Sequence, residues 1–477
     1  MNPLIHHFIA GEARPSAKQE TFETIDPWTQ AKHADVSLGH EEDVDAAVRA
    51  ARSAFDDGPW ARMGYAERGD LIHRLADLIE QNIEALAEAD SRDMGKPLSA
   101  MRKKDVPRAA QNFRFFADHA RMAVAERYPT EGGHHAYCAF EPAGVVAAIA
   151  PWNFPLMLET WKVAPALAWG NTVVLKPAED TPGSATLMAE LAIQAGFPPG
   201  VLNVVQGFGP DSAGQFLTHH PGVDRITFTG ESNTGRVIAQ AAGQRLVPVS
   251  LELGGKGANI VFEDADLDEA VKWSDKAIYT NAGQICLAGS RLYVQRSIYS
   301  EFVERFVRSA EAHVVGDPKA ETTTIGPLSS KRHFDKVRGF VEALGDDGRI
   351  LTGGVAEDGS WAVKPTVITD VKASARIMRE EVFGPVVTIV PFDTEEEVVR
   401  LANDTPYGLN AMLFTESLRR AHRVTRQLRA GTVWVNCFFV RDLRAPFGGF
   451  GDSGLGREGG NFSREFFTEP KAVVMEI

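Results

Sequence analysis

Cys286 lies in the stretch GQICLAGSR, Gly283–Arg291, between glycines, a glutamine and a serine. A free cysteine usually packs as a small hydrophobe. This one follows a helix-like run, Leu267–Tyr279, in a flexible and polar segment. Two readings compete: a buried cysteine in a helix-terminal turn, or an exposed thiol placed to react. Two other residues bear on the choice. Glu252 closes the apolar run Val247–Leu253, where a carboxylate is costly unless paired or functional. Asn153 stands in APWNFP, just after the run Val145–Ala150. A thiol, a carboxylate and an amide donor at strand ends are the parts of nucleophilic acyl chemistry. Taken singly, each has an ordinary explanation: Glu252 in a salt bridge with Lys256, Asn153 as a turn residue flanked by prolines.

The elements that must position these residues are legible as patterns. Glu41–Phe55, Arg68–Asp93 and Val106–Arg121 carry apolar residues at helical spacing. From Gly144 onward, short apolar runs alternate with amphipathic helix-length segments: Val145–Ala150, Thr172–Lys176, Val201–Val205, Arg225–Phe228 and Val247–Leu253. Continuous apolar strands separated by helices imply a parallel sheet covered on both faces, hence a doubly wound, Rossmann-like nucleotide-binding domain. A second α/β stretch begins at Asn259–Phe262 and continues through strands near Arg291–Gln295, Val386–Val390, Leu409–Phe414 and Thr432–Asn436. The tail KAVVMEI alternates weakly and is expected to be an edge strand able to pair with another subunit. In an open parallel sheet, ligands gather at the carboxyl ends of the strands. Lys176 and Glu179 lie there in LKPAED, and Gly230 and Gly235 bracket a helix start in FTGESNTG, where backbone N–H groups suit a phosphate. The G-x-G-x-x-G fingerprint is absent from the first strand turn.

Composition narrows the function. At 477 residues the chain is too long for one ordinary core. Its 44% hydrophobic and 24% charged residues exclude disorder. A formal charge of −14 argues against nucleic acid or an anionic membrane as partner, and no apolar run is long enough to span a bilayer. Three cysteines, Cys138, Cys286 and Cys437, form no disulfide framework, and the N-terminus carries no secretory pattern, so a reducing cytoplasm is expected. The paired histidines His6-His7, His134-His135 and His219-His220 match no metal-ligand spacing, and no metal is expected.

The motifs PWNFP, GNTVVLKPAEDTP, GVLNVVQG, ITFTG, LELGGK, GQICLAGSR, EVFGPV, LANDTPYGLNA and PFGGFGDSGLGREGG, in this order along essentially the whole chain, resemble the aldehyde dehydrogenase superfamily. The resemblance implies two doubly wound α/β domains and a small β oligomerisation element. It places an NAD-binding domain over 1–120 and 142–252, a catalytic domain over 253–460, and the oligomerisation element over 121–141 and 461–477. It implies a homodimer or homotetramer acting on a small-molecule aldehyde. By this match Cys286 is the nucleophile, Asn153 and the Cys286 backbone N–H form the oxyanion hole, and Glu252 is the general base. Lys176 and Glu179 hold the adenosine ribose, Glu381 the nicotinamide ribose, and Phe383 flanks the ring. Gly230 and Gly235 face the pyrophosphate, and Ala150, Trp152, Phe228 and Leu253 complete the cofactor contacts. Glu179 favours NAD, since a carboxylate accepts from a ribose 2′-OH and repels a 2′-phosphate. Glu252 favours hydrolytic release, because CoA-acylating relatives typically lack it. Glu231 stands where the superfamily commonly has serine, and its side chain is expected to face solvent or a cation.

GFGPDSAGQFLTHHP, ITFTGE, VPRAAQNFRFFAD and VRDLRAPFGG are similar to the hydroxymuconic, aminomuconic and carboxymethyl-hydroxymuconic semialdehyde dehydrogenases of aromatic ring cleavage. In that branch two arginines hold the substrate carboxylate, and Arg108 and Arg441 match them, with Arg444 a third candidate. The residues by themselves also fit a helix-face Arg108 and a loop in which Asp442 pairs Arg441 and Arg444. Two other functions stay open: a general aliphatic or succinic semialdehyde dehydrogenase, and a catalytically silent binding protein of the same fold.

Overall fold

The computed structural model describes residues 4–356 and 358–476, so the extreme ends of the expected terminal spans, residues 1–3 and 477, lie outside the described residues. The N-terminal helices follow the apolar spacing, beginning with Glu41–Asp56. Its first turn carries Glu41, Glu42 and Asp43, which suit the positive helix end, and Asp43 Oδ2 accepts from the His40 N–H at 3.0 Å. The run Arg68–Asp93 is two helices, Tyr65–Gln81 and Ile83–Met94. Asn82 leaves helical geometry at φ −107°, ψ 26°, and its Nδ2 donates back to the Leu78 carbonyl. Helix α1 (Val106–Arg121) follows a wider π-helical turn at Met101–Asp105.

The first sheet is parallel through β1 (Val145–Ile149), β2 (Thr172–Lys176), β3 (Leu202–Val204), β4 (Arg225–Thr229) and β5 (Val249–Glu252). Val146 and Ala148 of β1 enter one apolar cluster, whereas Val145, Ala147 and Ile149 enter another on the opposite face. Period-two alternation with both faces buried is why the strand reads as unbroken apolar sequence. Their lateral order is β5-β4-β1-β2-β3, so the chain reverses direction between β1 and β4. That reversal opens a crevice at the strands' carboxyl ends, the switch point where doubly wound sheets bind ligands. Helix α2 (Pro155–Ala168) leaves β1 at this crevice, and α3 (Ser232–Arg245) leaves β4.

The edge strands of this sheet were not anticipated. His7–Ile9 and Glu12–Arg14 extend it antiparallel beyond β3, and Gly454–Leu455 adds to β5. These two- and three-residue segments are too short to show an alternating pattern, and Glu12–Arg14 is wholly exposed. Leu4–Ile5, Lys32–Ser37 and Thr21–Ile25 form a separate small sheet.

The second sheet is parallel through β6 (Ala258–Val261), β7 (Arg291–Gln295), β8 (Val386–Phe392), β9 (Asn410–Phe414) and β10 (Thr432–Val435). Val363–Thr369 joins β8 in parallel, and Arg349–Val355 closes that edge antiparallel. Helices α4 (Leu267–Tyr279) and α5 (Lys331–Glu342) belong to this half. The C-terminal strand Thr468–Glu476 is the edge of a third sheet, paired antiparallel along its length with His134–Pro142 of the same chain. No helix among the described residues is long and apolar enough to cross a membrane.

Candidate active site

The Cys286 loop is a strained turn held from several sides. After α4 ends, Asn281, Ala282 and Gly283 all adopt positive φ, at 53°, 53° and 71°. Such a run is costly for residues with a Cβ and persists only when the surroundings over-determine it. Here they do. Asn281 Nδ2 donates to the Asn153 carbonyl at 2.7 Å, Asn153 Nδ2 donates to the Gln284 carbonyl at 2.9 Å, and Gln284 Oε1 accepts from the Ser329 N–H at 3.0 Å. A Cβ on Gly283 would lie 2.1 Å from the Gly384 carbonyl oxygen, and one on Gly255 would lie 2.4 Å from that of Cys286. The glycines of GQIC and LELGG therefore let three segments converge on one thiol. Asn153 is buried and tied to this loop. One of its amide hydrogens serves Gln284, leaving the second free to donate.

Cys286 is half-buried. Burial pushes its thiol well up, Glu381 and Glu252 push it further, and Arg441 pulls it down. Glu252, at the end of β5, pairs in register with Thr229 and Gly454 and is 4% exposed. Neither carboxyl oxygen has a hydrogen-bond partner. Burial and the nearby Glu458 hold the group far above the ordinary carboxylate range, against the opposing charges of Lys162, Arg441 and Arg457. No ion pair joins Glu252 to Lys256. That lysine is pushed down to about 7, by burial first and then by Arg291, while Glu381 pulls it the other way.

Beneath Glu252 lies a pair that sequence reasoning missed. Lys162 of α2 donates to Glu458 Oε1 and to Thr227 Oγ1, each at 3.1 Å, with both charged residues buried. The only signal was a lysine inside the otherwise apolar WKVAPALAWG and a glutamate in GREGG.

On the crevice side, Lys176 ends β2, is buried, donates to the Pro177 carbonyl at 2.6 Å and lies 3.8 Å from Glu179. Arg332 reaches within 3.7 Å of the same carboxylate, an exposed cation that the sequence did not point to. Helix α3 starts at Ser232 with no side-chain hydrogen bond capping its N-terminus, and Glu231 beside it is exposed. Gly230 donates to the Glu252 carbonyl at 3.0 Å, and a Cβ on Gly235 would lie 2.5 Å from the Leu253 side chain. Ala150, Phe228 and Leu253 are buried along the crevice walls. Glu381 accepts from the Gly255 N–H at 2.8 Å and is pushed up to about 7 by burial. Phe383 adopts φ 61° and meets the half-buried Trp152 edge-on, centroids 5.3 Å apart. His333, also unforeseen, fixes that conformation: burial pushes its imidazole down to about 3, and the neutral ring donates from Nε2 to the Phe383 carbonyl at 2.7 Å. The uncapped α3 N-terminus, the Lys176–Glu179 pair and Glu381 together suit a dinucleotide's phosphates and two riboses. Among the described residues no cluster of His, Cys, Asp or Glu is grouped to hold a metal ion.

A pocket of about 740 Å³ is walled by Phe154, Met157, Trp161, Phe438 and Phe439 and reaches Asn281 of the Cys286 loop. Arg108 and Arg441 both line it. Arg108 donates from Nε to Asn112 Oδ1 at 3.1 Å. Arg441 stacks over Phe447 at 3.9 Å and Trp161 at 4.7 Å, with its Nη2 buried and without a hydrogen-bond partner. Burial and the like charge of Arg108 push Arg441 down to about 10, and no carboxylate pairs with it. Arg444 differs: it is exposed and bound to Asp442, so it takes no part in the pocket.

A half-buried cysteine, a buried carboxylate at a strand end and a pocket carrying two arginines are brought together in one region of the fold, and the comparisons say which class this is. The aldehyde dehydrogenase family profile matches residues 14–473, and the chain belongs to that family. It is 47% identical to the 2-hydroxymuconic semialdehyde dehydrogenase of Pseudomonas sp. (strain CF600), covering 99% of each chain. It is 45% identical to a 2-aminomuconic 6-semialdehyde dehydrogenase of Pseudomonas sp., covering 99% of this chain and 98% of that one. Its fold is similar to an NAD+ complex of the Bacillus cereus aldehyde dehydrogenase, with a TM-score of 0.97 and 43% identity over 99% of this chain and 96% of that one.

Proposed function

We propose that this enzyme oxidises a carboxylated semialdehyde, of the kind released by aromatic ring cleavage, to the dicarboxylic acid with NAD. The observation that carries the substrate class is Arg441: a buried guanidinium nitrogen with no partner, in one pocket with Arg108 and near enough to Cys286 to pull its thiol down. A substrate carboxylate would satisfy both arginines through paired N–H donors. The two relatives named above act on muconic semialdehydes, which supports the same reading.

Cys286 gives up its thiol proton to solvent and attacks the aldehyde carbon as the thiolate, the carbonyl π pair moving onto oxygen. The oxyanion so formed sits against the Cys286 N–H and the second Asn153 amide hydrogen, each such donor supplying ~3 kcal/mol. NAD, when held in the crevice, would supply the hydride acceptor needed for the Cys286 adduct to become a thioester. Lys176 and Glu179 would hold its adenosine ribose, Glu381 its nicotinamide ribose, and Phe383 and Trp152 would flank the ring. Glu252 then takes a proton from water to hydrolyse the thioester. Neither of its oxygens has a hydrogen-bond partner, and it takes up that proton in its ionised form, which its raised pKa confines to the alkaline side and makes strongly basic. Glu179 favours NAD over NADP, while Arg332 beside it offers partial compensation for a 2′-phosphate. The enzyme is proposed to divide into the NAD-binding, catalytic and oligomerising spans given above and to act as a homodimer or homotetramer in the cytoplasm.

The test is NADH formation from 2-hydroxymuconic semialdehyde against propanal. A preference of about a hundredfold in kcat/KM, ~2.7 kcal/mol, is expected. Equal rates would favour a general aliphatic aldehyde dehydrogenase, and no NADH from any aldehyde would favour a silent binding protein.

A further inference from the structure

The pocket's basic lining does not stop at the two arginines. Lys104 and Lys276 line it as well, with Lys104 exposed and Lys276 half-buried. Lys104 lies in the π-helical turn four residues before Arg108, and it is exposed where Arg108 is half-buried. Lys276 projects from the last turn of α4, its ammonium 4.6 Å from the Trp273 ring centre. The two lysines are near enough for Lys104 to help hold Lys276 below its ordinary value, after burial.

The acids of the same lining are all engaged. Asp105 is bound by Lys96. Asp275 accepts from Ser309 at 2.7 Å and pairs with His313 at 3.0 Å. Neither Lys104 nor Lys276 has an ion-pair partner among the described residues. In a chain of formal charge −14, two neighbouring cations without ion-pair partners, one of them exposed, lining a single pocket are a specific departure from the net field.

We propose that Lys104 and Lys276 form an outer anion site, which draws in the carboxylate of an aldehyde substrate and passes it inward to Arg108 and Arg441. The inference rests on the carboxylated-substrate reading above and adds a second, solvent-facing stage to it. The two stages differ in their response to salt. An exposed ammonium pair is screened as the Debye length contracts from ~10 Å at 0.1 M to ~3 Å at 1 M, whereas the partly buried arginines are screened far less.

The experiment measures kcat/KM for succinic semialdehyde and for propanal from ~20 mM to ~1 M salt and follows their ratio. In the wild-type enzyme the ratio is expected to fall about tenfold as salt rises. In the Lys104→Gln/Lys276→Gln double variant it is expected to start low and stay flat, while Lys104→Arg/Lys276→Arg keeps the wild-type slope. A flat ratio in the wild type, or a wild-type slope in the glutamine variant, overturns the proposal. A high ratio that ignores salt would keep the arginine reading and sink the outer site. A ratio near one at ~1 M that still climbs steeply at low salt would do the reverse.

Discussion

Replacing Arg441 with methionine separates substrate recognition from the chemical step. Methionine keeps an unbranched apolar stem against Phe447 and Trp161 and removes the charge. A charge-assisted hydrogen bond to a carboxylate is worth ~1.5–3 kcal/mol, and a paired contact makes two of them. Arg108 remains to hold part of that energy, so a net loss of ~2–4 kcal/mol is expected, ~30- to 1000-fold in kcat/KM for a carboxylated semialdehyde. Propanal cannot make the contact and should lose far less. It will lose something, because Arg441 opposes the upward push on both the Cys286 thiol and the Glu252 carboxyl. Without that cation both groups deprotonate at higher pH, so the limb of kcat/KM that rises with pH shifts alkaline for either substrate. The decisive quantity is therefore the ratio of the two substrates, read by NADH absorbance at a pH on each enzyme's plateau. A ratio changed by less than about threefold would refute the reasoning. Stability should hold or rise, since an unpaired half-buried charge is removed.

Other residues give independent checks. Glu381→Gln removes a negative charge that raises the thiol, so the Cys286 titration followed by alkylation rate should move to lower pH. Gly283→Ala would set a Cβ against the Gly384 carbonyl at a positive-φ position, and an unfolding loss of ~3 kcal/mol or more is expected by denaturant titration. Lys162→Met would leave Glu458 without its buried cation; a destabilisation of ~3–5 kcal/mol should accompany an alkaline shift of the Glu252-dependent step. His333→Phe abolishes the bond that holds the Phe383 carbonyl, and a raised KM for NAD with little change in the aldehyde KM is expected from steady-state kinetics.

What the sequence revealed and what it hid have the same physical origin. Glu252 and Asn153 stood out because they end or follow apolar runs that need neither, whereas Cys286 stood out only by its glycine-rich setting and lies in the loop between α4 and β7, not at a strand's carboxyl end. Continuous strands such as Val145–Ile149 announced a sheet buried on both faces. Lys162 and Glu458 were hidden because their meaning lies in each other, across 296 residues of chain. Arg332 and His333 look like an ordinary surface helix start until α5 is brought against the crevice. The break at Asn82 was invisible to periodicity, because the apolar spacing resumes on the next helix. Arg444 shows the opposite error: its type and place in VRDLR matched a ligand, but Asp442 two residues away already holds it.

The most direct test of the account is to trap the thioester. Glu252→Gln, mixed with NAD and 2-hydroxymuconic semialdehyde, should give one rapid equivalent of NADH per subunit and then turn over ~100-fold or more slowly than wild type. Mass spectrometry of the quenched enzyme should find the acyl group on the peptide containing Cys286. Undiminished turnover with no adduct on Cys286 would contradict the assignment of Cys286 as nucleophile and Glu252 as the base that releases it.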